Sequence, residues 1–171
     1  LLDSGLAPDD PMVQSSARWL MDKQIFTGGD WQVRAKSTRP GGWSFEFDNL
    51  LYPDIDDASI VVMAIDKVKL PETEEIRRNG SILRGVEWMS GMQSKNGGWA
   101  AFDKDNNKRY LTKIQFSDFG ETLDPPSVDV TAHLLEMYGR LGYTKDDPLV
   151  SRGFKYVISE QEEDGSWFGR W

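Results

Sequence analysis

The 171-residue chain has no cysteine and a single histidine, His133. Without cysteine there is no disulfide and no thiolate-held zinc within it, and the composition is compatible with a cytosolic setting. No run of about 18 apolar residues occurs, so no segment reads as a membrane-spanning helix. Basic residues are the minority: Lys and Arg number 20 against 28 Asp and Glu, for a net charge of −8. No basic stripe interrupts that balance, which argues against nucleic acid as a partner and leaves the acidic excess to solubility. There is also no signal peptide and no initiator Met. Leu1-Leu2-Asp3-Ser4-Gly5 reads as a last helical turn with its glycine cap, and Trp171 falls inside a tryptophan-rich motif. The chain is therefore expected to be an internal piece of a larger protein.

What is plentiful is tryptophan. Seven occur, in a chain whose 39% hydrophobic and 28% charged residues otherwise describe an ordinary globular domain with a core of its own. They fall largely into a repeat. Trp19, Leu20, Gln24, Gly28, Gly29 and Trp31 form one copy; Trp88, Met89, Gln93, Gly97, Gly98 and Trp99 a second; Tyr156, Val157, Gln161, Gly165 and Trp167 a third. The glutamines stand 69 and then 68 residues apart. Upstream, Asp10-Pro11 and Asp147-Pro148 each open a periodic stretch, as proline does at the first position of a helix.

Each repeat thus predicts a helix of roughly four turns ending at its Gln, followed by a Gly-rich turn bearing the Trp. Helical spacing also marks Asp56 to Leu70 and Ser127 to Leu141. The helix expected from Thr73 to Gln93 has a mixed face and a candidate capping box at Thr73. Few strands are legible. The reading is all-α: helix pairs repeating about every 68 residues, stacked as a solenoid or a closed α/α toroid. Gln24, Trp31, Gln93, Trp99, Gln161 and Trp167 read as scaffold, since a Gln at a helix end can bond loose backbone groups and a Trp can pin the turn.

Two connections are longer than a solenoid needs. One runs from Trp31 through Phe45 to Tyr52-Pro53, the other from Phe102 to Pro126. Long ordered loops on a rigid frame are where function concentrates. Each leads into a helix: the first at Asp54-Ile55-Asp56-Asp57, the second at Ser127-Val128-Asp129-Val130-Thr131-Ala132-His133.

Three aspartates within four residues admit three readings. They are helix caps suited to the dipole, ligands of Mg²⁺ or Ca²⁺, or a carboxyl cluster in which crowding of like charge keeps one member protonated as a general acid. His133 is either a satisfied core histidine or the donor that sharpens such an acid. Phe45, Phe47, Tyr52, Phe102, Phe116, Phe119 and Trp171 lie in the connections or at repeat ends. They are packing residues or π faces for a cation, each worth about 0.5–2 kcal/mol.

Asp54-Ile55-Asp56-Asp57 resembles the Asp-x-Asp-Asp motif of squalene-hopene cyclases, and the Gln…Gly-x-Trp repeats resemble the QW motifs of triterpene cyclases. The stretches 40–49, 118–121, 124–126, 129–133 and 164–171 fit that family in order, so the resemblance covers essentially the whole chain. Animal and fungal oxidosqualene cyclases carry Asp-Cys-Thr-Ala-Glu instead, which sets this chain on the bacterial side. The resemblance implies one part of a two-toroid protein. It makes Asp56 the proton donor to a terminal double bond of squalene, Asp54 and Asp57 its supporting carboxylates, and His133 its hydrogen-bond partner with Asp129 behind. Phe45 and Trp171 would line the cavity, Phe102 would stand where some members have Tyr, and Phe116 and Ser117 would match the substrate constriction. It implies no metal and no cofactor. For the full-length protein it implies monotopic attachment to the cytoplasmic side of the membrane.

Other polyprenoids, such as a sesquarterpene precursor, stay open as substrate, and so does a homodimer. A glycan-processing toroid with paired carboxylates is the alternative from another class. A prenyltransferase β-subunit would need a zinc-binding Cys. Half a toroid leaves core faces bare, so the isolated chain is expected to be inactive and to self-associate.

Overall fold

The computed structural model describes residues 1–46, 49–107 and 123–169. Within them are five α-helices: α1 Pro11–Asp22, α2 Ile55–Asp66, α3 Glu72–Gly91, α4 Val128–Arg140 and α5 Pro148–Ser159. Short 3₁₀ turns cover Leu2–Ser4 and Asp30–Val33. One antiparallel pair of two-residue strands, β1 Trp43–Ser44 and β2 Pro53–Asp54, sets Trp43 opposite Asp54. Among the described residues no helix is long and apolar enough to cross a membrane.

The helix starts follow the expected chemistry. Pro11 and Pro148 occupy first-turn positions where a missing N–H costs nothing. Asp10 caps α1 by accepting the Met12 N–H at 2.8 Å. Val13, Ala17 and Met21 recur every four residues and bury one stripe of α1. The most buried helix is α2, which packs against α1, α3 and α4 through Ile55, Ala58, Val62, Met63 and Ile65. Trp88, Trp99 and Tyr138 are fully buried around it.

Two expected boundaries differ. The helix read as Asp56 to Leu70 stops at Asp66. Pro71 biases Leu70 away from helical backbone, and the Arg78 guanidinium takes the carbonyls of Asp66 and Val68 at 3.2 and 2.7 Å. The chain still buries Val68 and Leu70 as it leaves. The capping box at Thr73 does not form: α3 starts at Glu72, and no side chain caps it. Glu75 instead reaches back to the Leu70 N–H at 3.2 Å. The mixed face of α3 resolves along its length, with Ile76 exposed near the start and burial beginning at Ser81.

The turns after α1, α3 and α5 repeat in hydrogen bonds as well as in sequence. Gln24, Gln93 and Gln161 each lie two residues past a helix end, and their side-chain amides donate to Gly41, Gly97 and Gly165 carbonyls at 2.8, 2.8 and 2.9 Å. Gln24 also donates to Ser81 O of α3 at 2.9 Å, and Gln93 to Leu149 O of α5 at 2.9 Å. The glutamine therefore staples one repeat to the next.

The tryptophan partner in the first repeat is Trp43, not Trp31. Trp43, Trp99 and Trp167 donate their indole N–H to Leu20, Met89 and Val157, each carbonyl four residues before its repeat's Gln, at 2.7, 2.7 and 2.8 Å. A Cβ on Gly85 or Gly153 would lie 2.9 Å from the Trp43 or Trp99 ring, so the helix–ring approach repeats too. Trp31 is buried edge-on against Trp88 at 5.9 Å, and its indole nitrogen has no hydrogen-bond partner. Gly41-Gly42-Trp43 follows its glutamine 13 residues later than Gly97-Gly98-Trp99 does, so the first turn is longer by that much while its Trp docks in the same place.

Candidate active site

The starts of α2 and α4 meet. His133, in the second turn of α4, places Nδ1 2.6 Å from Oδ1 of Asp56, in the first turn of α2. Both side chains are partly open to solvent, 45% for His133 and 34% for Asp56. The contact is between residues 77 apart in sequence, so the fold alone brings them together.

The three aspartates do not converge on one point. Asp54 is the N-cap of α2: its Oδ1 accepts the N–H groups of Asp56 and Asp57 at 2.7 and 3.1 Å. Ile55, the first helical residue, gives its N–H to Ala101 O at 2.7 Å, so all three leading donors of α2 are engaged. Asp57 projects to the other side, into a groove with Trp19, Lys23, Trp43, Ser44 and Ile60. Among the described residues no three His, Asp or Glu side chains come together as a metal-holding group.

Burial pushes the Asp54 carboxyl up to about 7, with the charges of Asp57 and Asp56 adding to the rise and the two N–H donors opposing it. Asp57 is raised as well, first by burial and then by Asp56. Two of the three carboxyls thus hold protons more strongly than a free aspartate does.

The remaining expected site residues divide. Asp129 stands one turn before His133 on the same face of α4, accepts the Val130 N–H at 2.9 Å, and lines a groove of about 280 Å³ with Val157, Trp167 and Phe168. Phe45 follows β1 and is 75% exposed. Phe102 sits in a loop whose backbone is held by Asp124. Phe116, Ser117 and Trp171 lie outside the described residues. Two residues gain roles that spacing did not assign: Trp43, signalled by repetition of Gly-Gly-Trp at 41–43 and 97–99, and Asp124, marked beforehand only by its place in Asp124-Pro125-Pro126.

The whole chain, residues 1–171, matches the squalene-hopene cyclase C-terminal domain. It is 46% identical over 168 residues to squalene–hopene cyclase of Alicyclobacillus acidocaldarius, covering 98% of this chain and 26% of that protein. Squalene-hopene cyclase of Schizosaccharomyces japonicus is 42% identical, and dammaradiene synthase of the fern Dryopteris crassirhizoma 46%, each over 100% of this chain and 26% of the relative. The chain spans about a quarter of the length of these relatives. Bacterial, fungal and plant proteins stand at similar identity, so similarity does not separate the bacterial side from the others. The chain belongs to the squalene-hopene cyclase family.

Proposed function

We propose that this chain is the acid-bearing part of a triterpene cyclase, within an α/α toroid, and that Asp56 starts the reaction by protonating a terminal alkene of squalene. The observation that carries the proposal is the 2.6 Å contact between Asp56 Oδ1 and His133 Nδ1. With Nδ1–H donating to Oδ1, the transferable proton sits on Oδ2, the oxygen not engaged by His133. Asp54 supports it by fixing the helix start, and Asp57 shares its first helical turn, with burial raising both of these carboxyls. Asp129 steadies the α4 face that carries His133.

The proton adds to the alkene CH carbon, the electron pair of the double bond forms the new C–H bond, and a tertiary cation remains. Successive alkenes attack it and close rings. Phe45, Phe102 and Trp171 offer π faces to the moving charge, and Phe116 and Ser117 border the way in. Loss of a proton to a base, or addition of water, ends the cascade as hopene or hopanol. Asp56 regains its proton from solvent. No metal or organic cofactor enters this scheme. The full-length protein would sit on the cytoplasmic membrane surface, where its substrate is dissolved.

A different polyprenoid fate is the second reading, favoured by the equal identity to a dammaradiene synthase. Incubating a full-length protein carrying this chain with squalene and chelator, and identifying products by mass spectrometry, tests both. A pentacyclic hopene-type product supports the first; a tetracyclic product supports the second. No product from squalene overturns squalene as the substrate and turns the search to other linear polyprenoids.

A further inference from the structure

The Asp56–His133 contact joins two helices that do not share a loop, so something must fix the spacing of their starts. The strap formed by residues 99–103 does so. On one side Trp99 O accepts the Ser127 N–H at 3.0 Å, and Trp99 N donates to Thr131 Oγ1 at 3.0 Å. Thr131 in turn donates to Ser127 O at 2.6 Å, so the strap is bonded to the cap and first turn of α4. On the other side Ala101 O accepts the N–H of Ile55, one residue before Asp56. The strap therefore touches both helices within one turn of the acid and its partner.

The strap itself is shaped by one carboxylate. Asp124 Oδ1 accepts the Ala101 N–H at 3.3 Å, while Oδ2 accepts those of Phe102 and Asp103 at 2.6 and 2.9 Å. Three consecutive backbone N–H groups turned onto one anion form a nest that needs the charge to stay folded in that shape. Asp124 stands three residues before Ser127, so the nest closes a ring: Asp124, strap, then back to α4 through Trp99. Trp99, Ala100 and Ala101 are buried, which leaves the strap little room to rearrange.

We infer that Asp124 is a positioning residue for the initiating acid, setting where Asp56 lies relative to His133 through the Ala101–Ile55 bond. The inference rests on the proposed role of Asp56. Asp124 acts through the strap and not on the reacting atoms.

The test uses a full-length protein carrying this chain and two variants. Asp124→Asn keeps the size but puts an amide with its own N–H donors into the nest. Ile55→Pro leaves the nest whole and deletes the donor that links strap to α2, at a first-turn position that accepts proline after the extended Asp54. Both are expected to lower kcat by about 10- to 100-fold with KM changed by about twofold or less. Both should also move the pH at which kcat falls, because the Asp56–His133 geometry changes. Hydrogen exchange at the start of α2 should rise in both.

Folded variants with an unmoved pH profile would overturn the inference while leaving Asp56 as the donor. Loss of folding in both would also overturn it, reducing Asp124 to general stability. A parent protein that turns over no polyprenoid would overturn the role of Asp56, and this inference with it.

Discussion

The Gln–Trp turns and the acid site are built from the same helices on opposite principles. At the turns the amide and indole N–H groups go to backbone, Gln93 reaching Gly97 and Leu149 and Trp99 reaching Met89, while the Gln24 and Gln93 side-chain oxygens accept from Ser81 and Arg152. In the first two repeats the Gln and Trp side chains are buried, and in the third Gln161 and Trp167 make the corresponding turn bonds while exposed. At the acid site nothing repeats. Asp56 and His133 spend their bond on each other and remain partly open to solvent. The turns give a frame that tolerates insertion, since the stretch containing Trp31 lengthens the first turn without displacing Gly41-Gly42-Trp43 from its dock. The acid site depends on where two helices start, and that tolerance does not extend to it.

The comparison is broken most sharply at the acid. Asp56→Asn in a full-length protein is expected to reduce squalene turnover by about 10²–10⁴-fold with an unchanged melting temperature, since it removes the proton and little packing. The converse comes next. Trp99→Ala is expected to cost about 3–5 kcal/mol in denaturant unfolding, because a fully buried ring and its hydrogen bond go together. Equal loss of stability at both sites would remove the distinction between frame and site.

A smaller effect separates the two tryptophans of the first repeat. Trp43→Phe removes the indole bond to the Leu20 carbonyl, which keeps the Lys23 N–H as donor, and is expected to cost about 0.5–1.5 kcal/mol. Trp31→Phe loses no hydrogen bond and should cost less. The reverse order would return Trp31 to the repeat position that spacing suggested.

The smallest effect is a pH dependence. Asp54 is raised on folding from its ordinary 3.8 to about 7, so the folded state binds the proton more tightly than the unfolded chain. Its contribution to stability is complete below about 4 and fades as pH rises towards 7. Asp54→Asn keeps a cap that can accept both N–H groups. It should flatten the melting temperature between those pH values relative to the parent.

Much of this was legible in the sequence, for reasons that can be named. Asp-Pro at helix starts and Gln at helix ends are local signals, and α1, α4 and α5 fall within a few residues of their expected bounds. What could not be read was tertiary. The end of α2 is set by Arg78 from the next helix, and the start of α3 by Glu75 reaching backwards. Trp31 fitted the 68-residue spacing while the repeated Gly-Gly-Trp pointed to Trp43, and the hydrogen bonds decide for Trp43. At the acid, the motif marked Asp54, Asp56 and Asp57 as a group. Their division, one into a cap, one to His133 and one into a groove with Trp19 and Trp43, follows from helix geometry once the partners are in place.

The central claim is that Asp56 delivers the initiating proton. The most direct measurement runs the reaction in D₂O with a full-length protein carrying this chain and locates the label in the product. The account predicts one non-exchanging deuterium on the ring methylene beside the gem-dimethyl carbon, formed by the parent and lost with turnover in Asp56→Asn. Product labelled at that carbon at an undiminished rate by Asp56→Asn would contradict it.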